Sequence, residues 1–246
     1  LRDFFHKNII FVVFFVAFSF SLTVFGSARI GAEKRDSLSV NSSVILEGTE
    51  VKNSTHVEGM LIGKKAALNI VTVDGSAQFK NSRITGKTTV NGAFRFGEGE
   101  TGELVVNGGA EIVGAIIRGT SSIDGALSST KTTFFEALNV NGVGKLIQSH
   151  VKGKLTLDGS LFAQSSIFEQ EILIGTNQAT FVDCKLAGII IRKGGRDRYP
   201  QQLILKGNTI VSGDILFEAP GLLILIGEQV SIQGKVKNAK TITKTD

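Results

Sequence analysis

Tryptophan is absent from these 246 residues, tyrosine and cysteine occur once each, and histidine occurs three times. Each scarcity closes off a class of function. One cysteine, Cys184, permits no disulfide framework and no Cys/His cluster with transition-metal spacing. The missing tryptophan, with no motif that interleaves aromatic and basic residues, speaks against nucleic acid. Charge is thin as well: 27 Lys and Arg against 22 Asp and Glu leave a net +5 spread along the chain. No Gly-x-Ser-x-Gly elbow and no complete Gly-x-x-x-x-Gly-Lys-Ser/Thr phosphate loop occurs. Gly97-Glu-Gly-Glu-Thr-Gly102 is Gly-rich, but it does not join a strand to a helix, and Glu98, Glu100 and Glu103 read as a solvated turn.

What the chain has is a refrain. Gly75, Gly92, Gly108, Gly125, Gly142, Gly159 and Gly175 follow one another at intervals of 16 or 17 residues. Five of them close near-identical tags: Val90-Asn-Gly92, Val106-Asn-Gly108, Ile123-Asp-Gly125, Val140-Asn-Gly142 and Leu157-Asp-Gly159. A fixed period of this size marks stacked repeats. Counted from each Gly, offsets 2, 4, 7, 9, 13 and 15 are apolar or small: Ala77, Phe79, Ser82, Ile84, Thr88 and Val90 in one coil, and Ala110, Ile112, Ala115, Ile117, Ser121 and Ile123 two coils later. Alternation broken at fixed offsets predicts three short strands per coil, each with one buried face.

The columns predict register. Offset 2 runs Ala77, Phe94, Ala110, Leu127, Gly144 and Leu161, alternating small with large, as interdigitating layers require. Offset 7 runs Ser82, Gly99, Ala115, Thr132, Ser149 and Ser166, all small, as at an inward corner. The Asn or Asp before each Gly reads as a turn dipeptide whose side chains can also ladder; a calcium stripe is disfavoured because no two Asp occupy adjacent coils. Lys87 faces Glu103, and Lys154 faces Glu171, in successive coils. Phe79, Phe94, Phe96, Phe134 and Phe168 take inward offsets, which weakens a carbohydrate-binding reading. Cys184, nine residues after Gly175, reads as a small core residue. His56 and His150 point outward from different coils and cannot share a site.

The fold expected is therefore all-β: a single β-solenoid of three-sided coils, about 17 residues each, behind an N-terminal hydrophobic leader or anchor helix. Residues 1–28 read as that leader: Arg2 and Lys7 precede an apolar run from Ile9 to Phe25 with six phenylalanines, and Gly26-Ser-Ala28 suits signal peptidase. The run is also long enough for an uncleaved anchor. Residues 29–39 read as a charged linker, 40–236 as the solenoid with irregular first coils, and 237–246 as a Lys-rich tail or edge strand. One segment interrupts the later coils at 192–202. It carries Arg192, Lys193, Arg196, Arg198 and Tyr199, a candidate loop for an anionic partner and otherwise a solvated turn that widens one coil.

Coils of this length, Gly-punctuated and apolar inside, with phrases such as Ile84-Thr-Gly-Lys-Thr-Thr-Val-Asn-Gly92 and Val151-Lys-Gly-Lys-Leu-Thr-Leu-Asp-Gly159, resemble the bactofilins over residues 40–236. That resemblance implies a right-handed triangular β-helix, end-to-end self-assembly, membrane association and a scaffolding role in the bacterial envelope. The leader departs from the family pattern by suggesting export, to the periplasm or the inner membrane, with the cytoplasmic membrane face as the alternative. The expected function is non-enzymatic scaffolding with no cofactor or metal, and with the protein itself, the membrane and an anionic envelope component as partners. A surface binding module or adhesin-like stalk using the 192–200 loop is the alternative, and a β-helix enzyme acting on polysaccharide is a third reading.

Overall fold

The computed structural model describes residues 21–193 and 200–245. All described strands join one parallel sheet that winds through about 13 turns, with no helix among the described residues. Three ladders run the length of the column. We name them the first face (Leu22–Val24 onward), the second face (Ala28–Ile30 onward) and the third face, which opens with Lys34 and Arg35.

The repeat dictates this winding. On the first face Leu22 pairs with Leu38, then Thr55, Val71, Thr88, Leu104, Ser121, Leu138 and Leu155, in steps of 16 or 17 residues. Ala77, Phe94, Ala110, Leu127, Gly144 and Leu161 stand in one hydrogen-bonded column on the second face. All six inward offsets of the two coils quoted above are buried. The result is a single apolar core from Ile30 to Leu223, in which Phe94 and Phe96 stack at 5.7 Å and Phe79 tilts against both.

Two corners are special. Between the first and second faces Gly92, Gly108, Gly125, Gly142 and Gly159 have φ of 140–155°, and a Cβ on any of them would drive into the carbonyl oxygen of the glycine one coil earlier. Only glycine fits there. Its Asn or Asp neighbour has no positive φ; it ladders instead, Asn91 donating to Asp74 at 2.6 Å, Asn107 to Asn91 at 2.7 Å and Asn141 to Asp124 at 2.9 Å. Between the second and third faces every corner residue from Gly48 through Lys65, Asn81, Glu98, Gly114, Lys131, Gln148, Ser165 and Asp183 to Gly207 is left-handed, with φ of 49–70°. Most are not glycine, so this corner leaves no mark in the repeat. Its backbone stays paired: Lys65, Asn81, Glu98 and Lys131 each donate N–H to the next coil.

The structure corrects three expectations. Residues 29–39 are not a linker, because Ala28–Ile30 and Lys34–Val40 are strands of the first coils. Those coils are irregular, as expected: the pairing shifts register between Arg35 and Ser37 and again between Val51 and Ser54. Residues 1–20 of the expected leader lie outside the described residues, but Leu22–Val24 already pairs with Leu38–Val40, so a cut after Ala28 would remove a strand. At the other end the edge-strand reading holds, with Val236–Lys244 paired to Ile215–Ile226. Finally, Leu161 pairs with Ala179, a step of 18, which moves Cys184 out of the offset-9 column and into the small-residue corner column with Ser149, Ser166 and Thr209.

Candidate interaction surfaces

The insertion after the first-face strand Ile189–Ile191 widens one coil: Ala179 pairs with Leu203, a step of 24 residues. Of the five residues proposed there, Arg196, Arg198 and Tyr199 lie outside the described residues. Arg192 and Lys193 stand at the base of the loop, held from within. The Arg192 guanidinium pairs with the Asp158 carboxylate two coils away, reaching past Gly175, where any side chain would block the path. The Lys193 N–H donates to Glu218 at 2.9 Å. Gln201, absent from the predicted set, is buried and donates through Nε2 to both Thr176 O at 2.7 Å and Arg192 O at 2.8 Å. Its amide closes the loop at its root. The only sequence signal for that role was position, at the return to the repeat.

Titratable groups are dispersed. His56 lies 4.0 Å from Asp74 on the first face, whereas His150 contacts Glu169 at 2.6 Å on the third. Two of the three clustered glutamates face separate partners. Glu100 accepts from the Arg118 guanidinium at 2.5 Å, which holds its carboxyl below the usual range; Glu103 pairs with Lys87 at 2.8 Å, as predicted. Lys154 and Glu171 form no such pair. The Cys184 thiol is buried and donates to Val182 O, and desolvation pushes its pKa up to about 11. A thiol in that state is no nucleophile at neutral pH. Among the described residues no group of three or more His, Cys, Asp or Glu is placed to hold a metal ion.

The outward faces hold what the inward pattern hid. Five phenylalanines do point inward, but Phe135 and Phe162 do not. On the third face Arg118 and Lys152 approach the Phe135 ring at 5.2 and 4.3 Å, a sandwich formed by three successive coils. On the second face Val143, Lys145, Ser160, Phe162, Gln178 and Thr180 line a shallow depression of about 530 Å³. Outward offsets 1 and 3 of the repeat would have pointed to it. No described helix is long and apolar enough to cross a membrane. Comparison with family models, with curated proteins and with solved structures finds no match for this chain.

Proposed function

We propose that this protein is a non-enzymatic structural rod of the bacterial cell envelope, exported or anchored through its N-terminal apolar segment, that builds a scaffold by end-to-end association. One observation carries the reading: rungs of the same parallel three-strand design run from Leu22 to Lys244, and the first and last rungs each pair on one side only among the described residues. A second copy adding its first rung to the last rung would continue every ladder, in a head-to-tail contact that repeats without closing. At the last rung Val236, whose column is core below it, is 36% exposed. The lysines of that strand, Lys240 and Lys244, project sideways from the second face and not along the axis. Scaffolding also suits a chain whose ion pairs join neighbouring coils, as in Arg29–Glu47, Lys34–Glu50 and Arg95–Glu111.

Electron microscopy and sedimentation of the full chain in mild detergent test this. Filaments of solenoid width that lengthen with concentration are expected. Monodisperse monomers at high concentration would remove the scaffold reading.

A further inference from the structure

Charge is distributed unevenly over the three faces. The two carboxylates that project from the second face, Glu47 and Glu111, are each held by a guanidinium of the same face, Arg29 at 2.7 Å and Arg95 at 3.1 Å. Six lysines project beside them, Lys64, Lys80, Lys145, Lys206, Lys240 and Lys244, without an ion pair among the described residues. A surplus of six on one face exceeds the +5 of the entire chain. The third face mixes the two signs instead: Lys34 pairs with Glu50, and Arg83 and Arg118 share Glu100.

From Val143 onward the same face turns apolar. Phe162, Thr180, Ile204, Ile224 and Ile242 succeed one another along the axis in a single outward column, in which Phe162 is 37% exposed, Thr180, Ile204 and Ile242 are half-buried and Ile224 is only 9% exposed. Val143, 56% exposed, and Leu222 flank it on one side and Ile226 on the other. Among the described residues no carboxylate projects from this half of the face. At its two corners Asp158 is engaged by Arg192, Glu218 by the Lys193 N–H and Asp183 by Asn208, while Glu228, two residues beyond Ile226, is exposed. At about 4.8 Å per strand, these rungs make a flat strip roughly 25–30 Å long.

We propose that this half of the second face, from Val143 to Lys244, docks on an anionic lipid bilayer, with the solenoid axis parallel to the membrane plane. Isoleucine, valine and phenylalanine enter the headgroup boundary while lysine stems extend sideways to lipid phosphates. A second copy laid face to face would oppose lysine to lysine, and a nucleic acid backbone would leave the apolar column uncovered. A bilayer answers both the charge and the flatness.

Because the apolar N-terminal segment can tether the chain to any vesicle, binding itself is not the readout. An environment-sensitive fluorophore is placed at Thr180→Cys on the second face, with Thr156→Cys on the first and Thr133→Cys on the third as controls, all in the full chain with Cys184→Ser. On vesicles of phosphatidylcholine plus phosphatidylglycerol doped with spin-labelled lipid, quenching at position 180 should exceed both controls several-fold. It should fall to the control level on phosphatidylcholine alone and in a Lys145→Glu/Lys206→Glu/Lys240→Glu variant. Equal quenching at the three positions, none at 180, or quenching indifferent to phosphatidylglycerol overturns the proposal. So does protection of position 180 by soluble polyglutamate in place of vesicles, which would assign the face to an acidic polypeptide. Filaments without face-selective quenching would leave the scaffold reading standing and remove this one.

Discussion

A methyl group added at Gly142 would meet the carbonyl oxygen of Gly125 well inside contact distance, on a backbone held at φ +141°. Neither strain can relax without moving the coil below. Gly142→Ala is therefore expected to cost about 2–4 kcal/mol in urea unfolding. Lys131 poses the opposite case. It is exposed and left-handed at φ 51°, so Lys131→Gly relieves a Cβ clash worth about 1–2 kcal/mol and loses part of that to chain entropy. A net gain of about 0.5–1 kcal/mol is the expected result, and a loss would show that the corner depends on its side chains. The two corners also show where sequence reading reaches its limit. The glycine corner announced itself because nothing else fits there. The left-handed corner accepts Lys, Asn, Glu, Gln and Ser, since a paired N–H compensates the strain, and so leaves no pattern to find.

Strands were legible wherever the alternation was clean, and shifted wherever one residue was inserted. The step of 18 at Leu161–Ala179 is invisible in a list of glycines, yet it moves Cys184 into a column whose hydroxyls bond the carbonyl two residues back: Ser149 to Ile147, Ser166 to Gln164, and the Cys184 thiol likewise to Val182. The charged segment 29–39 reads as a linker because charges crowd it and one of them, Arg35, even stands in the inward third-face column, paired with Glu33 at 2.7 Å; Leu38 and Val40 are buried. At the inserted loop the break in the repeat was readable, but the clamp was not, since a lone glutamine carries no periodic signal. Its weight can be measured. Gln201→Ala leaves two carbonyls, Thr176 O and Arg192 O, without their donor in a buried setting, and should cost about 2–3 kcal/mol. Arg192→Ala breaks a half-exposed ion pair and should cost under about 1 kcal/mol. If unfolding midpoints rank the two variants the other way, the ion pair and not the amide holds the loop.

At the scale of the whole column, no rung has a core of its own. Each borrows hydrogen bonds and half its packing from the rungs on either side, so opening one exposes two others. Nearest-neighbour coupling of this kind allows either a single cooperative transition or fraying that stays local. Cys184 can tell them apart. It lies within the coil that begins at Gly175, two coils beyond Gly142, and with its thiol buried and pushed up to about 11, it labels at neutral pH only when the protein opens. If the column opens as one unit, the Gly142→Ala penalty reaches Cys184 in full, and a loss of about 2–4 kcal/mol accelerates labelling by about 30–900-fold. Local fraying around Gly142 predicts an unchanged rate. A lowered urea midpoint with no change at Cys184 would show that the rungs yield separately, and a rod built from them would then bend under load where its weakest coil lies.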